Sequence, residues 1–196
     1  MYHLHLTPVI IFASNPLNEA NKTYLLFTKE FGVVWAKAQS VRSGQSKLRC
    51  TLQDFSVGKI SLVRGKETWQ IIGMEPSENL YFSFGETKRF FVLARLIDFL
   101  KKMLAGEGNE EKIFIDLQQI IKLFHSLDAQ NGVTTIQTAE WLFKLRTLHC
   151  LGYISNTQFA HLLQKNVWSV EFLQSIHEQK TIAAKAIDEA MSESHL

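Results

Sequence analysis

Residues 18–49 read NEANKTYLLFTKEFGVVWAKAQSVRSGQSKLR. In this stretch, short runs of Val, Leu, Phe, Tyr and Trp alternate with lysines and arginines and with turn-forming Asn, Gly and Ser. Apolar runs of this length, bounded by turn residues, are typical of β-strands. The stretch therefore predicts strands whose ends and connecting loops carry positive charge.

The same pattern continues on both sides of this stretch. It predicts five strands, at residues 9–13, 23–28, 32–38, 57–63 and 68–73. Five short strands in so compact a segment are typical of a small barrel of the OB type. Between the third and fourth strands, serines and a glycine surround Arg42, Lys47 and Arg49, and this composition predicts an exposed basic loop.

Beyond Pro76 the apolar residues recur every three or four positions, which is the spacing of amphipathic helices. Helices are predicted at residues 89–104, 112–127, 138–151, 155–164 and 169–191. The sequence therefore predicts an α+β fold, with an N-terminal five-stranded OB-fold β-barrel followed by an α-helical bundle. We place the barrel domain at residues 1–76 and the helical domain at residues 77–196, with residues 76–86 as the connection.

Positive charge is concentrated in the first part of the chain. Residues 1–72 hold nine of the 21 lysines and arginines but only four of the 19 acidic residues. Such asymmetry is typical of a surface that binds a polyanion such as nucleic acid. The residues predicted to contact phosphates are Lys22, Lys29, Lys37, Arg42, Lys47, Arg49, Arg64 and Lys66. We interpret Trp35 and Trp69 as core aromatics rather than base-stacking residues.

The sequence offers no catalytic or metal-binding constellation. It lacks the glycine-rich phosphate-binding motifs and the GxSxG motif, and its barrel carboxylates are not clustered. His149, Cys150 and His161 are too few and too poorly spaced for a zinc site, and Cys50 and Cys150 are predicted to be free thiols. The apolar run at residues 8–13 is too short to cross a bilayer. We therefore expect a cytoplasmic, non-enzymatic protein without a metal or cofactor.

Several of these segments resemble one family. From residue 18 to residue 66, the order and spacing of NEANK, LLFTKEFG, AKA, SKLR, LQDFS and LVRGK resemble the N-terminal OB-fold of RecO, the bacterial recombination mediator. Residues 145–153, LRTLHCLGY, are similar to a helix of that family's helical domain. Many members carry a four-cysteine zinc site after this helix, whereas no cysteine follows Cys150 here. The resemblance is therefore to a short variant without zinc.

The resemblance implies a protein that binds single- and double-stranded DNA and anneals complementary strands. It also implies cooperation with RecR and with single-stranded DNA-binding protein in loading RecA during recombinational DNA repair, at the bacterial nucleoid. The helical bundle is then expected to bind the acidic C-terminal tail of single-stranded DNA-binding protein. The candidate partners for its carboxylates are Arg89, Arg95 and Arg146.

Two other interpretations of the sequence stay open. In the first, the chain is a non-catalytic interaction scaffold, and the basic barrel contacts an acidic protein surface without binding DNA. In the second, it is an RNA-binding protein or a metal-dependent enzyme acting on nucleic acid. The absence of a carboxylate cluster in the sequence argues against the enzyme.

Overall fold

The computed structural model describes residues 3–66, 68–104, 106–128, 132–155, 159–163 and 167–193. Contacts along the chain divide it into two units, which are described in turn. The first comprises Met1–Glu86 and Leu104–Phe114, and the second comprises Thr87–Met103 and Ile115–Leu196. The division into domains at residue 76 stays a prediction.

The first unit contains a closed five-stranded barrel. Its strands are β1 (Leu4–Pro16), β2 (Lys22–Thr28), β3 (Gly32–Ala38), β4 (Ser56–Arg64) and β5 (Trp69–Asn79). Their order around the barrel is β1-β2-β3-β5-β4, and antiparallel pairing of β1 with β4 closes it. The β3–β5 contact is parallel. The predicted α+β class, with an N-terminal five-stranded barrel followed by helices, is confirmed.

Alternation along the strands fills the barrel interior. Interior side chains come from all five strands and from the β3–β4 connection, and they include Val9, Ile11, Tyr24, Leu26, Val34, Ala36, Ala38, Val41, Leu52, Ile60, Leu62, Trp69 and Ile71. Because successive strand residues point to opposite faces, their neighbours point outward. β1 and β5 extend beyond their predicted ends because backbone pairing continues through residues whose side chains are polar or exposed, as at Asn15 and Glu75.

The β3–β4 connection is basic and largely exposed, as predicted, but it also contains a one-turn helix, α1 (Leu48–Thr51). Val41 and Leu52 anchor the connection in the barrel core. The buried hydroxyl of Tyr24 donates a hydrogen bond to the Leu52 carbonyl oxygen, at 3.4 Å. Burial raises the pKa of Tyr24 to about 12, and the nearby carboxylate of Asp54 adds to the shift. The core therefore holds the segment that presents the basic side chains.

The other regular elements of the described chain are helices. They are α2 (Leu80–Phe84), α3 (Lys88–Met103), α4 (Glu111–Ser126), α5 (Gly132–Cys150), α6 (Ala160–Leu163), α7 (Val170–Ser175) and α8 (Lys180–Glu193), with a 3-10 turn at His177–Gln179. α2 falls in the predicted connection, and it is capped by the Asn79 side chain, which accepts hydrogen bonds from the backbone N–H groups of Tyr81 and Phe82. None of the described helices combines the length and the apolar character needed to cross a membrane.

The single helix predicted at residues 169–191 is wrong, because the chain forms α7, a 3-10 turn and α8 there. The backbone leaves the α-helical region at Ile176, whose φ and ψ are −105° and 1°. A 2.9 Å hydrogen bond between His177 Nδ1 and Thr138 Oγ1 of α5 fixes the turn. The break thus lets two short apolar faces, rather than one long one, pack against α5.

Candidate nucleic-acid interface

A groove of about 460 Å³ opens on the outside of the barrel, beside β3, β4, β5 and α1. Its lining combines aliphatic side chains, two amides and one guanidinium, from Gln39, Leu48, Val63, Arg64, Gly65, Gln70, Ile71 and Ile72. Ile72 is 57% exposed, so its side chain adds apolar surface to the groove. The groove is therefore an apolar depression with few polar groups.

Strand register explains why these residues meet. Trp69 and Ile71 point into the barrel, so Gln70 and Ile72 of the same strand point outward. Gln70 lies opposite Val63 of β4 on one side and opposite Lys37 of β3 on the other. The parallel β3–β5 contact thereby brings a lysine to the edge of the groove.

Of the eight cations predicted in the barrel, one lines this groove and four more adjoin lining residues in sequence or strand register. Arg64 lines it, Lys66 follows two residues later, and Lys37 is the register partner of Gln70. Lys47 and Arg49 flank Leu48 of the lining and are both exposed.

Four of these five cations are free of acidic partners within the described part of the chain, where no ion pair involves them. They are Lys37, Lys47, Arg49 and Lys66. Their charge is therefore available to an incoming anion.

Arg64 differs from the other four because an acid already binds it. Its Nη1 donates to both carboxylate oxygens of Glu107, at 2.6 Å to Oε2, and its guanidinium lies 4.9 Å from the ring centre of Trp69. Trp69 Nε1 also donates to Glu107, at 3.2 Å. The hydrogen bond from Arg64 lowers the pKa of Glu107, and that from Trp69 acts in the same direction. Arg64 is thus fixed in place with its charge largely compensated.

Gly32 explains how Glu107 reaches the barrel. An isolated antiparallel bridge joins Gly32 to Glu107, and the Gly108 N–H donates to the Phe31 carbonyl oxygen at 3.3 Å. Gly32 has a φ of 65°, and a Cβ atom there would lie 2.9 Å from the Gly108 carbonyl oxygen. Only glycine permits both this conformation and this close approach.

The remaining three predicted cations have other contacts. Lys29 forms an ion pair of 3.2 Å with Glu111. Arg42 Nη1 donates to the Asn18 carbonyl oxygen at 2.7 Å, and Lys22 Nζ lies 3.5 Å from Ser14 Oγ. These residues do not line the groove, and their part in binding nucleic acid stays a prediction, as it does for the other five.

The two barrel tryptophans behave differently. Trp69 is 4% exposed, so its assignment to the core is confirmed. Trp35 is 50% exposed on the outer face of β3, and its assignment to the core is wrong. The reason is alternation, since Val34 and Ala36 point inward on either side of it. From the sequence, base stacking is the alternative to a core position for Trp35, whose indole lies exposed two residues from Lys37.

The three arginines predicted to bind a partner all make contacts within the second unit. Arg89 Nη2 donates to the Leu127 carbonyl oxygen at 2.6 Å. Arg95 donates to both carboxylate oxygens of Glu140, at 2.9 and 2.7 Å. Burial raises the pKa of Glu140, but the bond from Arg95 and the nearby Lys144 outweigh it, and the net shift is downward.

Arg146 is the most enclosed of the three, at 3% exposure. Its Nε and Nη2 donate to the Leu162 carbonyl oxygen, at 3.1 and 3.0 Å, and its guanidinium lies 4.6 Å from the ring centre of Trp168. Burial lowers the pKa of Arg146, although the carboxylate of Asp116 opposes the shift. A structural role is evident, and the predicted role in partner binding is untested.

A smaller pocket of about 290 Å³ lies beside α5 and α8. Its charged lining residues are Arg95, Glu140, Lys144, Lys180 and Asp188. Among the residues that the structure describes, no group of three His, Cys, Asp or Glu side chains is placed to hold a metal ion. Cys50 and Cys150 form no disulfide within the described chain, in agreement with the prediction.

The chain is similar in sequence to several curated proteins that share one name. The chain is 23% identical over 150 residues to a protein named DNA repair protein RecO from Caldanaerobacter subterraneus subsp. tengcongensis, covering 76% of the chain and 58% of that protein. It is 24% identical to the proteins of the same name from Clostridium acetobutylicum, over 169 residues, and Clostridium novyi, over 147 residues. These matches cover 84% and 75% of the chain, and 64% and 56% of the relatives. The comparisons support membership of the RecO family.

The resemblance to RecO that was derived from the sequence is thus confirmed. No family model matches the chain. The chain spans less than two thirds of the length of these RecO relatives. All eight predicted barrel cations lie within residues 18–66, the stretch that carries the resemblance to RecO.

Proposed function

We propose that this protein binds DNA through the basic groove of its barrel and acts in recombinational DNA repair. The observation that carries the proposal is an apolar depression that Arg64 lines and whose lining residues neighbour Lys37, Lys47, Arg49 and Lys66, four cations without an acidic partner in the described chain. The names of the RecO relatives support the assignment to DNA repair. A protein bound to chromosomal DNA in this way is expected at the nucleoid.

The mechanism that we propose is electrostatic. Lysine and arginine side chains that neutralise phosphates release condensed counterions, so affinity falls as salt rises. Two strands held side by side on such a surface repel each other less, which favours annealing. RecA loading, in cooperation with RecR and single-stranded DNA-binding protein, belongs to the same proposal.

Substitution of the groove cations tests the proposal directly. In the variant Lys47→Ala/Arg49→Ala/Lys66→Ala, we expect weaker binding to single strands of every sequence. Loss of three phosphate contacts should also reduce the log–log salt slope by about 2. Fluorescence titration of a labelled oligonucleotide at several salt concentrations measures both quantities.

The matched control is Lys88→Ala/Lys102→Ala/Lys122→Ala, which removes the same charge from exposed helix positions. If both triple variants show the same affinity and the same slope, net charge alone is responsible and the groove is not the binding site. Annealing of complementary strands coated with single-stranded DNA-binding protein, with and without this protein, then tests the wider role.

A second proposed contact is the acidic C-terminal tail of single-stranded DNA-binding protein in the 290 Å³ pocket. The supporting observation is the grouping of Arg95, Lys144 and Lys180 around the buried indole of Trp141. Glu140 already binds two of these cations, so Lys180 is the one that we expect to matter most. Lys180→Ala should weaken binding of a labelled tail peptide, whereas Lys185→Ala, a lysine paired with Glu189, should not.

A further inference from the structure

We propose that the 460 Å³ groove is a subsite for one unpaired nucleobase, and that the cations around it hold the phosphates on either side of that base. This inference rests on the proposed DNA binding and names the part of DNA that the site takes. It distinguishes the groove from a merely basic surface, which would bind any polyanion.

The lining has the chemistry of a base-binding site. A base has two apolar faces and a polar edge, and small-molecule pockets of a few hundred cubic ångströms typically combine apolar walls with a few polar groups. Here Leu48, Val63 and Ile72 supply the apolar surface. The amides of Gln39 and Gln70 each offer both a donor and an acceptor to the edge of a base.

In this proposal, the planar guanidinium of Arg64 stacks on the base and does not bind a phosphate. Glu107 compensates its charge, and Trp69 lies beneath its guanidinium. A guanidinium that is held in place in this way presents a planar surface, and arginine planes stack on nucleobases. The contacts of Arg64 with Glu107 and Trp69 therefore favour stacking on a base over binding of a phosphate.

Charge selects a nucleic-acid strand over other occupants. No acidic residue lines the groove among the described residues, whereas Lys37, Lys47, Arg49 and Lys66 are neighbours of its lining residues in strand register or in sequence. A single strand alternates apolar bases with anionic phosphates, which matches an apolar depression with a cationic rim. In a duplex the bases are paired and stacked, so the groove favours single strands.

The test compares two strands that carry the same charge. An oligodeoxythymidine and an abasic oligomer of equal length are titrated against the full chain at one salt concentration. We expect the thymidine strand to bind about tenfold more tightly, because stacking of one base on protein groups contributes an effect of that order. The salt slopes of the two strands should be equal, since their phosphates are the same.

Two exposed isoleucines provide the matched variants. Ile72→Ser should reduce the preference for the thymidine strand several-fold and leave binding of the abasic strand unchanged. Ile182→Ser, at 54% exposure on α8, should change neither. Equal binding of both strands by the native protein would overturn the inference but leave the proposed function standing, and so would an Ile72→Ser variant that keeps the full preference.

A different result would contradict the proposed function itself. If neither strand binds, DNA binding and the base subsite are both wrong. If a peptide of alternating Asp and Leu binds in their place and Ile72→Ser weakens it, the groove belongs to a protein partner.

Discussion

Three cations predicted to bind DNA in the barrel unit differ in their surroundings from two arginines predicted to bind a partner in the helical unit. In the barrel unit, Lys47, Arg49 and Lys66 are exposed and lack an acidic partner among the described residues. In the helical unit, Arg95 binds Glu140 and Arg146 is enclosed. Residues of the same charge are thus exposed to solvent in one region and hold the fold together in the other. Charge counts along the sequence do not separate the two cases.

Local structure causes the difference. The barrel cations stand in loops and at strand ends, where polar and glycine residues keep the chain at the surface. α5, by contrast, is almost entirely buried between residues 141 and 148, where Lys144 alone is half-buried. An arginine in such a helix must find its hydrogen bonds inside the unit.

The largest effect should come from Arg146. In Arg146→Met the Leu162 carbonyl oxygen loses two donors, and the contact with Trp168 is lost as well. We expect the free energy of unfolding to fall by about 3 kcal/mol, because an unsatisfied buried acceptor and lost packing both destabilise the fold. Urea denaturation followed by circular dichroism measures this change.

Arg95→Met is the control, since Arg95 is an exposed arginine with an acidic partner. Its effect should stay near 0.2–1 kcal/mol, the usual range for exposed pairs. An Arg146→Met variant as stable as the native protein, but unable to bind the acidic tail peptide, would reverse the comparison. Arg146 would then serve a ligand, as the barrel cations are proposed to do.

A smaller effect is expected at Tyr24, which anchors the basic connection to the barrel core. Its pKa is raised from 10.0 to about 12, so the folded state holds the phenol proton more tightly than the unfolded state does. The corresponding stability is complete below pH 10 and is lost as the pH rises from 10 to about 12. A shift of this size corresponds to about 2 to 3 kcal/mol.

Tyr24→Phe isolates this contribution. The difference in unfolding free energy between the native protein and Tyr24→Phe should change by that amount between about pH 9 and pH 12, whereas lysine titration affects both proteins alike. A constant difference would show that Tyr24 does not titrate with folding.

Sequence patterns predicted the barrel because its strands alternate and its turns contain Gly, Asn and Ser. They did not predict that Trp35 is exposed, because both faces of β3 are apolar. Val33 and Trp35 share one face, and Val34 and Ala36 share the other. Only closure of the barrel decides which face is interior. The helix α1 in the β3–β4 connection was not predicted either. A helix of four residues without a side-chain cap is too short to show a helical period in the sequence.

The site itself depends on contacts that are distant in sequence. The basic loop was visible from composition, but the position of Lys37 beside Gln70 of the groove depends on the parallel β3–β5 contact, which the sequence does not show. Glu107 lies 43 residues from Arg64, and no pattern connects the two. The sequence therefore suggested a set of cations without showing which of them an acid already binds.

The smallest effect is expected at Arg64. This arginine of the barrel unit is bound by an acid, as Arg95 is in the helical unit. In Glu107→Gln the amide can still accept a hydrogen bond, but the charge of Arg64 is no longer compensated. Affinity for an abasic strand should rise by at most about fivefold, the value of an exposed ion pair. The salt slope should steepen by about 0.7, which is one further phosphate contact.

Glu189→Gln is the control for this change, because it removes the same charge from an exposed pair on α8. If both variants raise affinity equally, the gain comes from net charge, and Arg64 does not meet a phosphate even when its acid is removed. If only Glu107→Gln steepens the slope, Arg64 meets a phosphate once its acid is removed, as Lys37, Lys47, Arg49 and Lys66 are proposed to do. The contrast between Arg64 and these four cations would then come from the placement of one carboxylate, whereas Arg146 differs from all of them by its burial.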